Sequence, residues 1–166
     1  MQRRFYLLIG VSLALILGSV ASARASQMVW SGLVMANNVA QPDKIPPELH
    51  RIEGTLKALF GYNQFKVIGQ SRKTLVTGSE DWLASSKYFS LQVDSKGETD
   101  AGYVLSLKLF QEKSVLLETE AKLSKAGPLV IKGPQVGDGQ LLLVLIVQKA
   151  QGGALSKPVT VQRRLS

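Results

Sequence analysis

Seven consecutive apolar residues near the carboxyl end place the strongest constraint on how this chain can fold. Residues 141–147 read Leu-Leu-Leu-Val-Leu-Ile-Val. A strand of this composition presents apolar side chains on both faces, so both faces must be covered. Left exposed, it would be an aggregation hazard. We therefore expect a strand in the middle of a sheet with a helix against one face; a place in a sandwich core is the other possibility.

The clearest helix is predicted over residues 47–60. Pro46 and Pro47 open it, and proline is favoured at the first helical position. Gly61 is expected to end it, as glycine does at helix carboxyl ends. Apolar residues recur at helical spacing and mark one face: Leu49, Ile52, Leu56, Leu59 and Phe60.

After Gly61 the apolar residues alternate with polar ones, which is typical of strands with one buried face. Strands are predicted in segments 62–71, 73–77, 89–93, 103–109 and 117–123, with a turn at 94–97 and a hairpin connection at 111–114. Residues 26–36 form either a first strand or a segment that covers an edge. The fold class is therefore α+β, a mainly antiparallel sheet of about five to seven strands with one amphipathic helix packed on it. A β-sandwich with an appended helix is the alternative.

The amino terminus has the three parts of a secretory signal peptide. Arg3 and Arg4 precede an uncharged apolar run over residues 5–20, and small residues follow. Cleavage is expected after Ala25, with Ala23 and Ala21 as alternatives, and an uncleaved anchor is the competing interpretation. The predicted organisation is a signal peptide at 1–25, one β-rich domain at 26–149 and a flexible basic tail at 150–166. The protein should be exported, to the periplasm or outside the cell, with no transmembrane segment after cleavage.

The absence of cysteine excludes disulfides, thiolate metal sites and acylation of a cysteine. Without Arg3, Arg4 and Arg24, 17 basic residues face 12 acidic ones, so the mature chain carries about +5. This excess suits anionic partners in general. The lysines are spread singly along strands, without a nucleic-acid motif, so no nucleic-acid partner is predicted. No cofactor is predicted.

No catalytic constellation stands out. The glycine-rich segment 133–140 lacks the Lys and Ser/Thr of a phosphate-binding loop and reads as a turn. The pairs Glu80–Asp81 and Glu118–Glu120 lack a predicted apolar pocket that would set two carboxyl groups to different tasks. His50, the single histidine, lies off the apolar stripe of the helix. We predict no catalytic and no metal-binding residue, and no enzyme.

Aromatic residues offer the best candidates for contact with a partner or ligand. Trp82 lies in a segment that reads as a loop, and Tyr88 follows shortly after it. An exposed tryptophan there would either cover the end of the sheet or contact a partner. Trp82 and Tyr88 are the predicted contact residues.

Four segments carry a family resemblance: FGYNQFKVIGQ at 60–70, DWL at 81–83, SKYFSLQVDSK at 86–96 and PLVIKGPQVGDGQLLLVL at 128–145. With the FGYNQF segment and the GPxxGxGQ turn before the last strand, the chain resembles a family of uncharacterised exported bacterial proteins, over about residues 28–148. The resemblance implies export and a β-rich carboxyl-terminal half. It implies no activity and no site residue.

Two functions follow as expectations. The first is a non-enzymatic accessory or adaptor subunit of the cell envelope that binds a protein, since sheet edges suit strand addition. The second is a binding module for an anionic or glycan ligand, suggested by the basic charge and the aromatic residues.

Overall fold

A computed structural model describes residues 27–148 of the chain. The predicted signal peptide and the predicted tail at 150–166 lie outside these residues. The described part contains eight strands, a 3-10 helix at Pro47–Ile52 and the helix α1 at Glu53–Phe60. The strands are β1 Met28–Asn37, β2 Gln64–Thr74, β3 Glu80–Ser85, β4 Phe89–Glu98, β5 Gly102–Gln111, β6 Ser114–Ser124, β7 Leu129–Val136 and β8 Gly139–Gln148.

The strands form two four-stranded antiparallel sheets. Sheet A has the order β2-β1-β8-β7 and sheet B the order β3-β4-β5-β6. Every pair of neighbouring strands is antiparallel. The predicted α+β class is confirmed, and the two facing sheets also give the layering of the predicted alternative. There are eight strands rather than five to seven.

Two apolar cores lie on opposite faces of sheet A. The first, between the sheets, includes Leu33, Leu91, Leu107 and Leu143. The second lies between sheet A and the helical segment and includes Trp30, Val34, Leu56 and Val144. The layers are therefore helix, sheet A and sheet B.

The apolar run at 141–147 belongs to β8, which is a central strand of sheet A as predicted. Leu141, Leu143 and Leu145 point into the core between the sheets. Leu142 and Val144 point into the core under the helix. Because both faces pack on a neighbouring layer, the strand needs no polar alternation.

The helical segment spans residues 47–60 as predicted, but its first half is a 3-10 helix. The Leu49 amide donates to the Pro46 carbonyl at 2.9 Å, which closes the first turn. Gly61, with φ of 71°, ends α1. The prediction for Leu59 is wrong, because its side chain is 67% exposed and Phe60 continues the buried stripe instead.

Several strand boundaries also differ from the sequence patterns. Residues 94–97, predicted as a turn, are part of β4, where a bulge lies between Ser95 and Gly97. The strand predicted at 62–71 is β2, which continues to Thr74. A separate strand at 73–77 is wrong, because residues 75–77 lie outside any strand. The hairpin connection at 111–114 is confirmed, with Glu112 and Lys113 between β5 and β6. Within residues 27–148, no helix is long and apolar enough to cross a bilayer.

Candidate functional site

The two predicted contact residues lie near one end of sheet B. Trp82 lies on β3, not in a loop as its segment suggested, and it pairs with Gln92 of β4. Its ring centroid is 5.4 Å from that of Phe110 on β5, and the ring planes are tilted by 56°. Such tilted aromatic pairs are favourable beyond the area they bury. The structure therefore places Trp82 on the outer face of sheet B, in contact with the Phe110 ring.

Tyr88 lies in the turn between β3 and β4. Its carbonyl accepts a hydrogen bond from the Glu112 amide at 3.2 Å, and Glu112 belongs to the turn between β5 and β6. The Lys87 ammonium lies 5.0 Å from the centre of the Tyr88 ring, within the range of a cation–π contact. The two turns are thus joined, and Tyr88 is at the same end of the sheet as Phe110.

Two aliphatic residues of β6 extend this surface. Val115 pairs with Phe110, and Leu116 is the extra residue of a bulge in β6. The exposed fraction is 48% for Trp82, 53% for Tyr88, 51% for Val115 and 40% for Leu116. We name the five residues Trp82, Tyr88, Phe110, Val115 and Leu116 the apolar end of sheet B.

A shallow cavity of about 100 Å³ adjoins the apolar end on the same outer face. Its charged and polar groups come from β3, β4, β5 and β6: Glu80, Gln92, Asp94, Lys96, Ser106, Lys108 and Glu118. These groups pair across strands. The Lys108 ammonium is 3.4 Å from the Glu118 carboxylate, and the Gln92 amide donates to Glu80 at 3.4 Å. Three carboxylates thus line the cavity against two ammonium groups, which disfavours an anionic ligand there.

Lys96 and Asp94 form a further pair in this cavity. The hydrogen bond to the Asp94 carboxylate, together with its negative charge, raises the pKa of the Lys96 ammonium. The ammonium therefore stays charged at neutral pH. The Lys96 side chain is exposed to solvent, so the pair is a weak contributor to stability.

The structure does not bring the candidate carboxylates into a catalytic arrangement. Glu80 and Asp81 are adjacent on one strand, and Asp81 is 2.5 Å from the Lys73 ammonium. Glu118 and Glu120 share the outer face, opposite Lys108 and Ser106, and both are exposed. None of the four lies in an apolar pocket of the kind that raises the pKa of a general acid.

His50 lies on the 3-10 helix, away from both carboxylate pairs. Its side chain is exposed, and its Nε2 is 3.0 Å from the Ile45 carbonyl oxygen. Among residues 27–148, no group of three or more His, Asp or Glu side chains is placed to hold a metal ion.

A second, more apolar cavity of about 350 Å³ lies at the opposite end of sheet B. It is lined by Thr99, Ala101, Gly102, Tyr103, Lys122 and Leu123, among others. Burial is the main cause that raises the pKa of the Tyr103 phenol. The Lys125 ammonium lies 5.3 Å from the Tyr103 ring and 2.7 Å from the Glu98 carboxylate, so the phenol is part of a packed corner.

The sequence patterns missed Phe110, Val115 and Leu116 as members of the site. One signal was present: Val115, Leu116 and Leu117 are three apolar residues in a row on a strand that otherwise alternates. A regular strand with one buried face would expose at least one of them. Comparisons with protein-family models, with curated proteins and with solved structures found no match.

Proposed function

We propose that this chain is a non-enzymatic, exported binding module of the cell envelope that holds a protein partner at the apolar end of sheet B. One observation carries the proposal: four large apolar side chains, each at least 40% exposed, gather at one end of one sheet. Contiguous exposed apolar patches on soluble proteins mark interaction sites. Trp and Tyr are also enriched among the residues that dominate binding energy.

The composition of the patch favours a protein over a glycan or an anion. Sugar rings stack on aromatic faces, but Val115 and Leu116 offer neither an aromatic face nor a hydrogen bond. An anion would need unpaired cations, whereas Lys96 and Lys108 are paired with Asp94 and Glu118. The partner we propose presents apolar side chains, which would cover Leu116 and Val115 and stack on Trp82.

A glycan ligand is the second candidate, and one feature favours it. Gln92 is paired with Trp82 across the strands, and its amide donates to the Glu80 carboxylate. A ring stacked on Trp82 would therefore lie beside groups that can donate and accept hydrogen bonds. The two candidates differ in whether Leu116 takes part.

Site-specific photo-crosslinking in cells tests the proposal. A photoreactive residue is placed at Leu116 or Tyr88, and a matched control carries it at Leu59, an apolar and even more exposed position on the helix. We expect one protein to be captured from Leu116 and Tyr88 but not from Leu59. Equal capture from all three positions, or none from Leu116 and Tyr88, would contradict the proposal.

Once a partner is identified, two single substitutions separate the candidates. Trp82→Ala should weaken binding roughly 30-fold, as expected for a hot-spot residue worth about 2 kcal/mol. Leu116→Ser should weaken protein binding and leave glycan binding unchanged. Isothermal titration calorimetry can measure binding for both variants, because it needs no tryptophan signal.

Export itself has a separate test. Cell fractionation should find the chain outside the cytoplasm, and its amino-terminal sequence should begin at Ser26 if cleavage follows Ala25. A cytoplasmic chain that begins at Met1 would contradict this part of the proposal.

A further inference from the structure

Three of the four sheet edges are protected within the described residues. At the β2 and β3 edges, the Leu83 carbonyl accepts from the Ser31 hydroxyl at 3.0 Å and also from the Ser71 hydroxyl. The two strands also approach closely at Gly69 and Ser85. At the β7 edge, Pro134 lacks an amide hydrogen, and the pairing with β8 breaks near it. Proline and bulges are devices that prevent a further strand from adding.

The β6 edge has no proline, and its one bulge, at Leu116, lies near its start. β6 has 11 residues with neither glycine nor proline, and from Leu117 to Ser124 it pairs with β5 without a bulge. Its inward side chains Leu117 and Ala121 are only partly buried against the core between the sheets. A strand added here would form hydrogen bonds with a regular row of backbone groups and would cover these side chains.

The outward charges of β6 limit which strand can add. Glu118, Glu120 and Lys122 form a row on the outer face. Glu118 is paired with Lys108, whereas neither Glu120 nor Lys122 has an ion-pair partner within residues 27–148. Like charges placed directly opposite on neighbouring strands are destabilising, and opposite charges are favourable. A row of mixed sign therefore disfavours most strand pairings. It favours a strand that places an opposite charge across from each of its own.

A second copy of β6 provides the match in one register. When two β6 strands pair antiparallel about a two-fold axis at Ala121, each Glu120 lies opposite Lys122 of the second copy. Glu118 then lies opposite Ser124. An axis at Glu120 opposes Glu118 and Lys122 twice but also opposes the two Glu120 carboxylates, and it uses Glu118, which is already paired with Lys108. An axis at Thr119 opposes Glu118 and Glu120 twice.

We propose that this protein forms a symmetric dimer in which the β6 edges of two copies pair antiparallel about Ala121, joining their sheets B into one eight-stranded sheet. Two Glu120–Lys122 ion pairs form across the interface. The interface is isologous, the usual form for a two-fold dimer. The apolar end of sheet B is not needed for this contact, so the inference does not rest on the proposed function.

A charge-swap series tests the dimer and its register. Sedimentation equilibrium on the purified mature chain should give twice the monomer mass. Glu120→Lys and Lys122→Glu, each alone, should weaken the dimer roughly tenfold or more, because two attractions become two repulsions. A mixture of the two single variants should form a heterodimer, because every opposed pair is then of opposite sign.

Glu118→Lys is the matched control, with the same change of charge on the same face of the same strand. In the proposed register it faces Ser124 and should leave dimerisation nearly unchanged. A chain that stays monomeric up to about 1 mM, well above a weak-complex Kd, contradicts the dimer. Dimers that ignore all the swaps contradict this interface, and dimers weakened most by Glu118→Lys contradict the register. The dimer test is independent of the proposed function. If photo-crosslinking at Leu116 captured no partner, each of these results would be expected unchanged.

Discussion

Gly69 lies where β2 passes close to the backbone of β3. A Cβ atom at this position would lie 2.1 Å from the Ser85 carbonyl oxygen, much nearer than any ordinary contact. The obstacle is backbone, which cannot move aside as a flexible side chain can. Glycine at this position therefore allows the two sheets to close at this corner.

We predict opposite effects for two glycine-to-alanine substitutions. Gly69→Ala should lower the free energy of unfolding by about 1–3 kcal/mol, as overpacking does. Gly54→Ala, in α1 with nothing within 4 Å of the new Cβ, should raise it by about 0.5–1 kcal/mol, because alanine is the better helix former. Urea denaturation measures both. An unchanged midpoint for Gly69→Ala would mean that the corner is looser than described.

At the scale of the element, the helix is attached to sheet A by few side chains. Leu49 and Leu56 are fully buried, whereas Leu59 is largely exposed. Around α1, the buried stripe follows Ile52, Leu56 and Phe60 at i, i+4 and i+8. Leu59 lies about 60° from Leu56 and about 100° from Phe60 around the helix axis, so it falls outside this stripe and faces solvent.

We predict that two leucine-to-alanine substitutions in α1 differ sharply. Leu56→Ala should cost about 2–5 kcal/mol of unfolding free energy, because it leaves a cavity in the core under the helix. Leu59→Ala should change stability by less than about 0.5 kcal/mol, as surface substitutions do. Thermal unfolding followed by circular dichroism compares them. A similar loss for both would indicate that Leu59 is covered in solution, by a partner or a second copy.

The sequence patterns predicted the elements with strong periodicity and missed two strands without it. β3 has no alternation, because the pairing shifts between Trp82 and Ala84. In β7, Pro134 and two neighbouring glycines indicate a turn, although residues 129–136 pair with β8. A single chain does not encode which partner strand tolerates such irregularities. The same limit applies to the site: Trp82 and Tyr88 could be chosen as exposed aromatics, but Leu116 joins them only because of the bulge.

At the scale of the whole molecule, sheet A contributes to both cores, whereas the helix and sheet B each contribute to one. β1 and β8 are its two central strands, with a neighbour on each side. Loss of sheet A would therefore remove both cores together. This arrangement favours a single cooperative unfolding transition for residues 27–148.

We predict that amide hydrogen exchange follows this hierarchy. Amides of β1 and β8, such as those of Leu33 and Leu143, should be the slowest, with opening free energies near that of global unfolding. Amides at the sheet edges should exchange faster. In β6, amide exchange measured by NMR should be slower at high than at low protein concentration, because the proposed dimer covers this edge. Exchange from β8 as fast as from β7 would contradict a fold held by sheet A.

Because the apolar run of β8 is unbroken, the strand lacks the polar–apolar alternation that usually fixes the register between neighbouring strands. In most strands, a slip by one residue puts polar side chains into the core. In β8 such a slip would merely exchange Leu143 for Val144, so polarity leaves the alignment unspecified. The buried Gln140 amide distinguishes the native register from the shifted one. In the native register it donates to the Gly133 and Pro134 carbonyls at 2.6 and 3.0 Å. The alignment of the most apolar strand is thus encoded in one polar side chain at its start.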